Sequence, residues 1–280
     1  MKDKPRLGVT EALSLKPLLE GLDAPGTQFD LAVDLPASLS IAFSDRPENF
    51  RGAFLSPIDY ARHAGDYQIV PGISVSSALP TGAIQLFVNE GTKNVSRLAV
   101  DIRVTSEIIL AKILLLEKFT NLSPHKQAIQ FIPMMPDLPS MLKKADAALI
   151  ANFAPPLPGS GDMFSLDLVE EWSDLTGLPY VHGFWVVREG QWDESESRAL
   201  HAAKERGLKN LSSVASRYAP VSSLAEETCL AYLTSFSYDL GEEQEESLSE
   251  FIRYSYFHGV LGDMPDLTFF SEDRTSSTIH

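Results

Sequence analysis

Short apolar runs of strand type alternate with segments of helical period along nearly all of the 280 residues. Such alternation is the signature of an α/β fold, in which helices cover the faces of mostly buried sheets. Strands are predicted at residues 7–9, 29–33, 52–55, 84–88, 98–100, 147–150 and 180–187. Several helices carry their own boundaries. Ser56-Pro57 ahead of Ile58-Asp59-Tyr60 supplies an N-cap with proline at the first helical position, and Gly65 closes that helix. Asp193 with Glu196 three residues on forms a capping box for a helix ending near Gly207. Thr105-Ser106-Glu107 opens a helix over 108–119 that is apolar enough to be buried on more than one side. The acids Glu242, Glu243, Glu245 and Glu246 head a helix ending near His258, where they complement its dipole on a solvated face.

At roughly 150 residues per domain the length suggests about two domains or one large one. The proline-rich break at 154–162 and the shorter one at 78–82 are no long tethers, so two halves would have to be joined by strands that cross between them. The charge of −15 works against nucleic acid and anionic lipid as partners, since both need a basic face. A small anionic ligand stays open, because one Arg and a helix N-terminus reverse the field locally. The single cysteine, Cys229, has no internal disulfide partner and belongs to no CxxC pattern. No apolar stretch of signal-peptide length follows Met1, and the greasiest run, 108–116, is interrupted by Lys112. A soluble, cytoplasmic protein without a membrane segment is expected.

GxGxxG, GxSxG, HExxH and EF-hand patterns are all missing, and the six histidines never fall at i, i+3 or i, i+4. No local metal pair is therefore present. His182, in an apolar strand, reads as a hydrogen-bonded core histidine. Hydroxyl groups beside turns and helix starts carry more information. The run from Val70 to Ser77 leads to a turn with Pro80 and Gly82, and Val100 to Ser106 reads as strand, loop and helix N-cap. The second unit aims backbone N–H groups at a carboxylate, with the Thr105 and Ser106 hydroxyls and the Arg103 charge beside them. Simple capping is the plainer account of each run taken alone.

Five stretches together resemble the chorismate dehydratase family of the futalosine route to menaquinone. They are Arg6-Leu7-Gly8 through Leu13-Ser14-Leu15-Lys16-Pro17-Leu18; Leu55-Ser56-Pro57-Ile58-Asp59-Tyr60 with Tyr67-Gln68-Ile69-Val70-Pro71-Gly72-Ile73-Ser74-Val75; Leu98-Ala99-Val100-Asp101 with Thr105-Ser106; Ala145-Asp146-Ala147-Ala148-Leu149-Ile150; and Trp172 with Thr176-Gly177-Leu178-Pro179-Tyr180-Val181 and Phe184-Trp185. Tyr238-Asp239-Leu240-Gly241-Glu242-Glu243 follows in register. The resemblance implies a two-lobed type II periplasmic-binding-protein-like α/β fold with a central cleft. With residues 84–88 and 180–187 as crossings, lobe one would comprise 1–88 and 188–280, and lobe two 89–187.

It also implies a cofactor-free lyase that removes the ring hydroxyl of chorismate as water, giving 3-[(1-carboxyvinyl)oxy]benzoate. Ser14 and Ser77 then stand at catalytic positions, and Arg103, Thr105, Ser106 and Asn152 at substrate-binding ones, around a small dicarboxylate. Three positions depart from the family pattern. Ala12-Leu13-Ser14 replaces Tyr-Leu-Asn, whose Asn belongs to the active site; Arg103-Val104-Thr105-Ser106 replaces Ser-Arg-Thr-Ser; and Ala151-Asn152-Phe153 stands where Gly-Asp is usual. A lyase acting on a related carboxylate, or a non-catalytic carboxylate-binding protein of the same fold, are the alternatives.

Overall fold

The structure, a computed structural model, describes residues 4–22, 27–122, 129–156 and 164–271. The chain begins with β1 (Arg6–Val9), a 3-10 turn (Leu13–Leu19) and β2 (Asp30–Val33). Next come α1 (Pro36–Asp45), β3 (Gly52–Leu55), α2 (Pro57–Ala61) and the long β4 (Tyr67–Ser77). β1 pairs in parallel with β2 and β3, so their carboxyl ends point the same way.

A second sheet follows: β5 (Ile84–Val88), β6 (Arg97–Asp101), α3 (Ser106–Glu117), β7 (Gln130–Met134), α4 (Leu138–Lys144), β8 (Ala147–Ala151), β9 (Ser165–Asp167) and α5 (Leu168–Thr176). Its strand order is β7-β6-β8-β5-β9, with β6 parallel to β7 and β8, and β5 antiparallel to β8 and β9. The chain then returns as β10 (Tyr180–Arg188), which enters the first sheet antiparallel between β3 and β4, giving β2-β1-β3-β10-β4. Four helices close the described chain: α6 (Glu194–Lys209), α7 (Leu211–Ser222), α8 (Glu226–Thr234) and α9 (Glu242–Phe257).

Each sheet has its own core. Leu13, Leu18, Trp185, Leu200 and Leu233 pack under α6 to α8 on the first. Leu98, Leu110, Leu114, Leu149 and Trp172 pack on the second, joined by Phe251 and Ile252 of α9. Full burial of one such side chain stabilises by about 1.5–3 kcal/mol. Because α9 touches α2, α3 and β10, it fastens the two halves together, and Trp172 Nε1 donates to Ser247 Oγ at 3.1 Å in that seam. Among the described residues no helix is long and apolar enough to cross a membrane.

The strands expected as crossings fall on the other side of each expected boundary. Residues 84–88 pair only within the second sheet, and 180–187 only within the first. A buried strand's apolar run does not record which sheet it joins; the Pro/Gly break before it marks the change. Those breaks are Leu79-Pro80-Thr81-Gly82 and Gly177-Leu178-Pro179. As expected, α6 ends near Gly207. The helix runs on to Lys209, and a Cβ at 207 would lie 1.9 Å from the Pro17 carbonyl oxygen, so glycine is there for close packing. The capping box at Asp193 and Glu196 forms with both of its hydrogen bonds.

Candidate functional site

The carboxyl ends of β1, β3, β6 and β8 converge where the two sheets meet, the usual place for a ligand crevice in α/β proteins. A cavity of about 80 Å³ lies there, with Ser14, Ser56, Glu107, Asn152 and His182 as its principal polar groups and Phe54, Phe153 and Tyr232 among its apolar ones. The halves meet closely around it. Leu13 N donates to the Phe153 carbonyl at 2.7 Å, and Ala37 N to the Arg103 carbonyl at 3.0 Å.

Two of the expected site residues line this cavity directly. Ser14 stands on the 3-10 turn after β1, half-buried, and its hydroxyl has no hydrogen-bond partner among the described residues. Asn152 follows β8 and is held by its side-chain amide, which donates to the Gly82 carbonyl at 2.7 Å. Ser77 reaches the cavity only through a neighbour. It is 2% exposed, and its Oγ lies 2.8 Å from Nε2 of His182. His182 is hydrogen-bonded, as expected, and also borders the cavity; it sits at the register shift between Val181 and Gly183 where β10 pairs with β4. Such an irregularity re-aims a side chain, here into the cavity. Gly183 makes room, because a Cβ there would meet Phe54 at 2.6 Å and the Leu55 carbonyl at 2.8 Å. Burial lowers the His182 pKa to about 3, so the ring is neutral at neutral pH.

The other three have partners within the protein. Arg103 grips Asp101 with two prongs, Nε to Oδ1 at 2.9 Å and Nη2 to Oδ2 at 2.7 Å. It also donates to the Ala151 carbonyl at 2.7 Å and lies 4.5 Å above the Phe153 ring. Thr105 and Ser56 both donate to Oδ2 of Asp59, each at 2.6 Å. Ser106, fully buried, donates to Ser56 Oγ and accepts from Ile58 N, both at 2.9 Å. The N-cap of α3 thus holds a carboxylate, and that carboxylate belongs to α2.

Glu107, the next residue, was legible only as an ordinary first-turn acid. Its carboxyl is pushed up to about 7, chiefly by burial and further by the charges of Asp59 and Asp101. Its Oε2 is sealed from water and has no partner, as is the hydroxyl of Tyr180 on β10. No local pattern marks either Glu107 or His182 as part of a site. The one available hint is a histidine inside an otherwise apolar strand. Among the described residues no group of three or more His, Cys, Asp or Glu could hold a metal ion.

Comparison with known proteins places this geometry. Protein AF1704 from Archaeoglobus fulgidus superposes with a TM-score of 0.71 at 16% identity, covering 92% of this chain and 98% of that one. The alkanesulfonate-binding protein SsuA from Xanthomonas axonopodis pv. citri, solved with MOPS, gives 0.57 at 14% identity, covering 93% and 95%. The CA3427 gene product of Candida albicans, described as having the generic periplasmic binding protein fold, gives 0.59 at 11% identity, covering 96% and 99%. At these identities the likeness is one of fold: two α/β lobes with a ligand cleft between them. Sequence supplies the rest, because a family model described as menaquinone biosynthesis matches residues 5–256, from β1 into the last turn of α9. The chain belongs to the menaquinone biosynthesis family.

Proposed function

We propose that the protein is a lyase of chorismate dehydratase type, converting chorismate into 3-[(1-carboxyvinyl)oxy]benzoate by loss of water. The supporting observation is the convergence at one cavity of Ser14, Asn152 and the Ser77–His182 pair, which come from four separate segments of a chain of this family. The elimination creates an aromatic ring and is strongly downhill, so it requires orientation and proton movement but no cofactor. Ser14 and Asn152 are assigned to the substrate as neutral hydrogen-bonding groups. Ser77 acts through His182, whose ring its hydroxyl holds in place. Arg103, Thr105 and Ser106 shape the wall behind them, with their charge and hydroxyls already engaged by Asp101, Asp59 and Ser56.

A cavity of about 80 Å³ is smaller than the roughly 150 Å³ that accepts benzene. Entry of a ring with two carboxylates therefore requires the halves to part, breaking contacts such as Leu13 to Phe153.

Incubation with chorismate, followed by detection of the aromatic product, tests the reading. Ser14 is one bond shorter than the family's Asn and has one donor fewer. A missing donor of this kind costs about 10²–10³ in rate, so slow turnover is expected, with Ser14→Asn faster by about tenfold or more. Chorismate binding without turnover in either protein would assign the site to carboxylate binding alone. Failure to bind chorismate would remove it as the substrate.

A further inference from the structure

The two backbone hydrogen bonds that join the halves beside the cavity are both accepted by residues of the second half, Phe153 from Leu13 N and Arg103 from Ala37 N. Each donor is a neighbour of cavity-lining residues. Leu13 lies between Ala12 and Ser14, and Ala37 follows Pro36. Ala37 N is among the first amides of α1, which no carbonyl of their own helix can satisfy, so the Arg103 carbonyl fills a standing need.

The two acceptors are distant in sequence yet braced as one body. The Arg103 guanidinium lies over the Phe153 ring, 4.5 Å from its centroid. It grips the fully buried Asp101 with two prongs, and its Nη2 also donates to the Ala151 carbonyl at 2.7 Å. Asp101 completes the brace, accepting from Arg103 N at 3.0 Å and from Ala151 N at 3.3 Å. Both polar backbone groups of Ala151 are therefore held, two residues before Phe153. Phe153 lines the cavity, whereas no Lys or Arg is among the described residues that do. A guanidinium engaged by a carboxylate, a carbonyl and a ring is built to hold the chain in place.

We propose that Arg103 is a positioning residue, a role that rests on the elimination reading. Acting through Phe153, it holds a latch that releases for the substrate ring to enter and re-forms around it. The Leu13–Phe153 bond joins the immediate neighbours of Ser14 and Asn152. Its closure thus sets the separation of the two groups assigned to the substrate, one from each half, and misplacement of such groups slows a reaction that depends on orientation.

Amide hydrogen exchange on the full chain reads the latch without a ligand, and turnover of chorismate reads its consequence. Phe153→Leu removes the ring contact but no hydrogen bond, and should lower the protection of the Leu13 and Ala37 amides together by about two- to fivefold. Arg103→Gln also loses the grip on Asp101 and should lower both by about tenfold or more, with kcat falling by a similar factor. Arg103→Lys keeps the charge without the fork and should recover only part of either. The salt dependence of KM should stay as in wild type, because the Arg103 charge does not meet the substrate.

Protection unchanged in the variants, or lost at one amide alone, overturns the latch. Protection lost at both amides with wild-type kcat and KM overturns the positioning role and leaves the elimination standing. A shallower salt dependence of KM in Arg103→Gln makes Arg103 a ligand contact and overturns the role as well. Wild type that forms no product overturns the elimination, and the two amides still decide whether the latch exists. If Arg103→Gln fails to fold with Asp101 unpaired, Phe153→Leu decides by itself, since it leaves that pair intact.

Discussion

The first turn of α3 borders two regions of opposite character. Toward α2, Thr105 and Ser106 belong to a closed set of hydrogen bonds with Ser56, Asp59 and the Ile58 N–H, in which the hydroxyls are paired. On its other side, the adjacent Glu107 keeps a buried oxygen with no partner, and Ser14, which lines the cavity, has a hydroxyl without a partner among the described residues. The same helix start therefore serves as a joint on one side and borders the cavity on the other. Counting polar residues near a helix N-terminus cannot separate these roles; counting their unsatisfied atoms can. Satisfied polar groups hold structure, and unsatisfied ones are left for a ligand to complete.

The comparison is most exposed at Asp59. Replacing it by Ala removes two charge-assisted hydrogen bonds and strands two hydroxyls, so a loss of about 4 kcal/mol is expected in urea denaturation. A loss below about 1 kcal/mol would mean that the joint carries little. Glu107 comes next, with the opposite sign. Its folded pKa lies above the ordinary 4.5, so the folded state holds a proton that the unfolded state has released between 4.5 and about 7. Wild-type stability should fall across that window by up to roughly 3 kcal/mol and then level off. Glu107→Gln should lack this decline and exceed wild type in denaturation at about pH 8. Equal slopes in the two proteins would show Glu107 to be solvated, and the contrast between the two sides of α3 would fail. The smallest effect is expected at Ser106. Ser106→Ala leaves the Ile58 N–H unsatisfied and should cost about 1–2 kcal/mol, with ligand affinity changed less than about twofold. Unchanged stability with tenfold weaker binding would instead make Ser106 a ligand contact.

Local chemistry made much of this molecule readable in advance. Asp193 with Glu196, Pro57 after Ser56, and the short apolar runs that became seven of the ten strands all act within a few residues of themselves. Strands β4, β7 and β9 are less plain. Pro71-Gly72 resembles a stop, yet β4 runs through it, with Gly72 at φ +74° and the strand at the edge of its sheet, where a missing N–H is tolerated. Pro133 lies likewise in β7, the edge strand of the second sheet. The site divides in the same way. Ser14 and Asn152 could be named from motif position, whereas Glu107 looks like any acid that complements a helix dipole. Its meaning comes from Asp59, 48 residues earlier, and from a cavity wall built by residues of both halves. His182 depends on a bulge set by pairing with β4, a strand more than 100 residues away.

The return of β10 to the first sheet has a consequence in time. Every strand of the second sheet lies within residues 84–167, so a growing chain holds that sheet's full hydrogen-bonding complement once β9 has emerged. The first sheet must wait. β4 pairs with no sheet strand other than β10, and so remains unpaired until residues 180–188 have been made. During synthesis β4 is thus an eleven-residue strand with open edges beside an already assembled neighbour, the kind of segment most open to wrong pairing. The Pro71-Gly72 irregularity midway along it, with Gly72 at φ +74°, interrupts the straight edge on which another chain would build.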